Sequence, residues 1–122
     1  MTTRSDRARR ILAIVRLFNG SAALLVPELM LRRLGTDPQR DPSGIYPLRM
    51  FGIRTVLIGA ELLALQGEAR RRSTRLGIVI HASDTIAAAT GGLRGQLPRS
   101  AAVATTLISS VNTALAIVAS RG

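Results

Sequence analysis

The chain has no cysteine, no lysine and no tryptophan. Without thiols, disulfides, thiolate metal sites and cysteine nucleophiles are excluded. One histidine, three methionines and seven carboxylates supply a metal site poorly, and no cofactor is expected. Aromatic residues make up only 2% of the chain, so the stacking platforms of a nucleic-acid surface are missing despite a net charge of +10. No nucleic-acid partner is expected. There is no Walker loop, no dinucleotide glycine pattern following a strand, and no identifiable nucleophile and base pair. The expectation is a protein that is not an enzyme.

Hydrophobic residues make up 47% of the 122 positions and are gathered into four blocks, which argues for a single folded unit over residues 1–122. The first block is Ile11 to about Leu31, with Arg4, Arg7, Arg9 and Arg10 before it and Arg32 and Arg33 after it. The others run from Tyr46 to about Gly67, from Leu76 to about Gly92, and from about Ser100 to Ser120. At ~1.5 Å per residue, about 20 residues span ~30 Å, the thickness of a bilayer's hydrocarbon layer. The expected fold is all-α: a four-helix transmembrane bundle with up-down antiparallel topology and helices near 9–33, 46–69, 74–93 and 98–121. Pro27 predicts a kink near the end of the first helix. Leu34 to Pro47 holds three prolines and two glycines and reads as an external loop. Glu68 to Arg75 reads as a short basic turn, and Gly95 with Pro98 as the last connection.

Two other readings compete. Arg9 and Arg10 before an apolar run resemble a cleaved export signal, but Arg16 and Asn19 interrupt the run. A soluble helical bundle fits the modest mean hydropathy of +0.26. Against it, no charge occurs between Arg99 and Arg121, a length that a water-facing amphipathic helix rarely tolerates.

Arginine distribution orients the helices. The N-terminal tail, the second connection and the C-terminus carry Arg4, Arg7, Arg9, Arg10, Arg70, Arg71, Arg72, Arg75 and Arg121. The opposite side receives Arg32, Arg33, Arg40, Arg49, Arg94 and Arg99. The denser set is expected inside, with both termini in the cytoplasm of a multi-pass inner-membrane protein. Anionic lipid headgroups are the partner such ends imply.

Charges within apolar blocks are costly and mark the candidate site. Arg54 and Glu61 are seven apart on the second helix and His81 and Asp84 three apart on the third, so each pair shares a face. Antiparallel packing brings Arg54 level with Asp84, and Glu61 with His81 and Arg16. The expectation is an intramembrane polar seam between the second and third helices, containing an Arg54 to Asp84 ion pair, with Asn19 and Asn112 nearby. The seam reads either as glue between helices or as a proton or anion path. Gly52, Thr55 and Gly59, and Ala88, Gly91 and Gly92, form small-residue stripes for close helix packing.

Several short motifs run through the chain: Val26-Pro27, the Arg32 to Pro38 segment, Tyr46-Pro47-Leu48-Arg49-Met50-Phe51-Gly52-Ile53-Arg54 with Gly59, Ala82-Ser83-Asp84, and Gly95-Gln96-Leu97-Pro98. Together they resemble small four-helix integral membrane proteins of unknown function common in actinobacteria. The resemblance implies a membrane location and a signature containing Arg49, Gly52, Arg54 and Asp84, and it supplies no chemistry. The functional expectation is a non-enzymatic structural or accessory subunit, homo-oligomeric or part of a larger membrane complex. A small transporter or channel using the seam is the alternative, and a holin-like pore former a further one.

Overall fold

The computed structural model describes residues 3–121, and these are helical, with no strand among them. The helices are α1 Arg4–Leu25, α2 Pro27–Arg33, α3 Ile45–Ala64, α4 Gly67–Leu93 and α5 Arg99–Ser120, with a 3-10 turn at Pro42–Gly44. Thr3 starts α1 through a capping box: its hydroxyl accepts from the Asp6 amide at 3.1 Å while the Asp6 carboxylate accepts from the Thr3 amide.

The first expected helix is two helices. Pro27 has no N–H to continue the ladder, so Val26 leaves helical geometry and donates its amide to Ala22 O. Pro27 then opens α2 as its first residue, and α2 turns away from α1 by 102°. The expected kink is therefore a right-angled break, and it yields five α-helices instead of four.

Two of the connections end on the same device. At Gly35 and Gly95, with φ of 90° and 70°, the backbone enters the left-handed region and closes a Schellman motif. Thr36 N donates to Leu31 O at 3.0 Å in the first, and Gln96 N to Gly91 O at 2.8 Å in the second. Gly35 abuts the ring of Pro98, so both turns lie at one end of the molecule.

The basic turn expected at Glu68 to Arg75 is absent, because these residues form the first turns of α4. Glu, Ala and Arg are good helix formers, and the reversal needs only Leu65 and Gln66, both extended. The last carbonyls of α3 then accept from arginines of other helices. Arg9 Nη1 donates to Leu62 O at 2.6 Å and Arg70 Nε to Leu65 O at 2.8 Å. These guanidinium groups satisfy acceptors that a helix C-terminus otherwise leaves open.

α1 is the hub of the bundle. It packs along α3 and against α5, and α4 packs along α5, whereas α3 and α4 touch only sparingly. Gly20 lies against Gly52 and Val56, Gly59 against Ala13 and Leu17, and Arg9 against Leu62, so α1 and α3 run antiparallel. Added Cβ atoms at Gly20 or Gly52 would fall 2.7 Å from backbone atoms of the other helix, which measures how closely the two approach. On α4, Gly92 meets Ala102 of α5, while Gly91 packs under Leu97 of the turn.

The interior is built from small and polar residues. Ala13, Ala23, Ala88, Ala101 and Ala116 are buried together with Leu12, Thr55, Thr74, His81 and Asn112. Large apolar side chains point outward instead: Phe18 is 73% and Leu93 90% exposed, and Ile14, Leu57, Val79, Ile86 and Leu107 are exposed as well. A water-soluble core has the opposite arrangement. Hydroxyls within the helices are satisfied locally, with Thr85 donating to His81 O, Thr105 to Ala101 O and Thr113 to Ser109 O.

By length and composition, α4 and α5 can each cross a membrane, and α1 with α2 qualifies as a broken span. α3 carries Arg49, Arg54 and Glu61 within twenty residues and does not qualify by itself. By length and composition two or three helices therefore qualify as spans, and their apolar outward surface points to membrane association.

Candidate functional site

The site forms on the α1–α3 crossing, where Arg16 of α1 reaches Asp84 of α4. Buried positions on α3 are Gly52, Thr55, Gly59 and Leu62, and on α4 Thr74, Gly77, His81, Ala88 and Gly91. The α3 set alternates steps of three and four, as in a closely packed helix seam, and the α4 set does so except for a step of seven between His81 and Ala88. Arg16 is one of the buried residues of α1 and meets both seams.

Arg16 is only 4% exposed. Its Nη1 lies 4.0 Å from Asp84 Oδ2 and its Nη2 donates to Thr55 Oγ1 at 3.4 Å. The guanidinium also sits 5.9 Å from the centroid of the Phe51 ring, where the aromatic face attracts a cation. These contacts are long, and Arg16 Nε has no hydrogen-bond partner among the described residues. The cation is held by charge and by three surrounding helices more than by tight hydrogen bonds. Asp84 keeps 39% of its side chain exposed.

His81 is 0% exposed, one turn from Asp84, and among the described residues neither of its ring nitrogens has a hydrogen-bond partner. Its nearest glycine, Gly77, leaves room for an ordinary Cβ contact at 3.8 Å. A buried imidazole with two open nitrogens is chemically able to accept a proton or to donate one to an anion.

The expected seam is thus redistributed. Arg16, His81 and Asp84 come together, but Arg54 and Glu61 do not join them. The anticipated Arg54 to Asp84 pair does not form: Asp84 takes Arg16, and Arg54 is exposed on α3. The expected levels, Arg54 with Asp84 and Arg16 with Glu61 and His81, presuppose that consecutive helices pack together. α3 packs on α1 instead, which pulls its flank away from α4. Glu61 is exposed and accepts from Ser73 Oγ at 2.9 Å, tying the end of α3 to the start of α4. Asn112 is buried on α5, and Asn19 lines a groove on the other side of α1.

Of the packing glycines, Gly52 and Gly59 stand at the α1–α3 crossing and Gly92 at the α4–α5 crossing, whereas Gly91 supports a turn. Gly20, the partner of Gly52, was not anticipated. Its signal was present as a lone glycine in an otherwise apolar helix. Thr55 was read as a small spacer, and its hydroxyl proves to be the neutral acceptor for Arg16.

The three cavities described around the bundle are lined by none of Arg16, Thr55, His81 and Asp84. Comparison with protein families, with curated proteins and with solved structures yields no match.

Proposed function

We propose that this protein is a non-enzymatic structural or accessory component of a membrane assembly, a four-helix multi-pass bundle of the inner membrane with both termini cytoplasmic. The observation that carries the reading is the inverted distribution of side chains: alanine, glycine and polar groups such as Arg16, His81 and Asn112 inside, and many of the leucine, isoleucine, valine and phenylalanine side chains outside. Such a surface is suited to lipid or to other membrane helices. The Arg16–Asp84 pair supports a holding role, since the charges meet each other directly and the described cavities bypass them. The similarity to small actinobacterial membrane proteins belongs to the same proposal. Extraction in mild detergent followed by affinity purification tests it. The expected result is a stable homo-oligomer or a partner at fixed stoichiometry. A chain recovered only as a monomer overturns it.

A transport function is the second reading, and His81 favours it: both ring nitrogens are open beside Arg16 and Asp84. Reconstituted liposomes decide between the two. pH-dependent anion or proton flux that Asp84→Asn abolishes supports transport, and absence of flux in the parent protein removes it.

A further inference from the structure

We infer that the groove beneath the α1–α2 break is a binding site for one anionic membrane phospholipid, an inference that rests on the membrane reading above. The groove has a volume of about 580 Å³ and runs between α1, α2, α3 and α5. That volume lies within the range of small-molecule sites. Its walls are apolar, with Phe18, Met30, Phe51 and Ile108 among them, as a hydrocarbon chain requires. Three polar groups interrupt them: Asn19, Thr105 and the guanidinium of Arg33.

The geometry fits a lipid in one direction only. α1 and α2 qualify as a span only together, and with the bundle in a bilayer the 102° break sets α2 across the end of α1, toward the boundary between headgroups and acyl chains. Arg33, at the C-terminal end of α2 and exposed, then stands at headgroup level, while Phe18, Ala104 and Ile108 continue the groove beside the spanning helices. A phosphate at Arg33 gains a charge-assisted, bidentate contact that a zwitterionic headgroup shares with its own cation. Arg32 is its neighbour in sequence but lines a different surface hollow with Gly35, Thr36 and Asp37. It therefore provides an internal control for charge alone.

The test is native mass spectrometry of the full chain released from mild detergent, with phosphatidylglycerol or phosphatidylcholine of identical acyl chains added. The parent protein should retain one phosphatidylglycerol in preference to phosphatidylcholine. Arg33→Gln should cut that preference about fivefold, the effect of about one basic residue at a membrane surface. Arg32→Gln should leave it unchanged, and Ala104→Trp, which fills the groove, should remove retention of both lipids. Equal retention of the two lipids by the parent protein overturns the site. So does an equal loss in Arg32→Gln and Arg33→Gln, which would mean diffuse attraction only. Arg33 is exposed, so its variant keeps the test decisive should Ala104→Trp misfold. A chain that stays dispersed without any amphiphile would instead defeat the membrane reading itself, and the two failures are told apart by that control.

Discussion

At the scale of residues, the Arg16–Asp84 pair sets an asymmetry that mutation can read. Removing one member of a fully buried pair costs about 3–5 kcal/mol, because the other charge is stranded. Asp84 keeps 39% of its side chain exposed, but near the middle of a candidate span that exposure is to lipid and gives the charge no relief. Asp84→Leu leaves the buried guanidinium of Arg16 with only Thr55 and the Phe51 ring, and we expect a loss of about 3 kcal/mol. Arg16→Leu strands a carboxylate whose exposed part faces lipid in a spanning α4, and it should cost at least as much. The double variant should be more stable than the sum of the two losses, since it strands nothing. Unfolding of the four proteins in mixed detergent micelles measures this cycle, and additive losses would mean that the pair does not interact.

A second residue-scale prediction lies outside the bundle. Asp41 accepts from the Ser43 hydroxyl at 2.5 Å and from its amide at 3.1 Å, and these bonds hold its carboxyl below the usual carboxylate range. A depressed value means that the turn is fully supported above the ordinary carboxylate pKa and loses that support as pH falls through the lowered one. Ser43→Ala removes the hydroxyl, which is the larger cause, and should move the Asp41 midpoint upward. Carboxyl chemical shifts followed through an acid titration give both midpoints directly.

At the scale of elements, helix packing depends on where a Cβ can be tolerated. Gly20→Ala and Gly52→Ala each place a methyl 2.7 Å from a backbone atom across the α1–α3 crossing, and rigid backbone cannot give way as a side chain can. Each should cost about 1–3 kcal/mol and open the crossing. Gly77→Ala meets nothing closer than 3.8 Å and should be neutral or stabilising by up to about 1 kcal/mol, because alanine favours helix over glycine. Thermal unfolding in one detergent ranks the three variants. The individual elements were legible because composition is local: apolar blocks, Pro27, Gly95 and Pro98 act on their own neighbours. Pairing is not local. Nothing in the charge pattern of α3 says that its glycine face will choose α1 over α4, since the choice depends on the fit of Gly20 against Gly52. Arg16 was therefore visible as a candidate while its partner was misassigned. The extension of α4 through Glu68 to Arg75 was missed for a related reason, as arginines at a membrane edge read as a loop although they are good helix formers.

At the scale of the whole molecule, the two ends differ in how their arginines are used. At one end Arg9 and Arg70 are engaged by carbonyls of α3, and Arg71 pairs with Glu68 at 3.8 Å. Arg7, Arg10, Arg72, Arg75 and Arg121 remain exposed beside them. The other end holds α2, the 34–44 connection and the α4–α5 turn, where Gly35 meets Pro98. Its arginines are fewer, and Arg40 is drawn toward Asp37 at 3.7 Å. Positive charge retained near span ends opposes export, so the first end should stay in the cytoplasm. The absence of cysteine makes this directly measurable, since any thiol introduced is the only one present. Ala69, Gln39 and Gln96 are all exposed, the first at the basic end and the other two at the opposite end. In intact cells a membrane-impermeant maleimide should label Gln39→Cys and Gln96→Cys, and should reach Ala69→Cys only after the membrane is opened. Labelling in the reverse order would invert the protein. Labelling of Gln39→Cys and Gln96→Cys on opposite sides would break the bundle topology, because the contact between Gly35 and Pro98 requires those two turns to share one face of the bilayer.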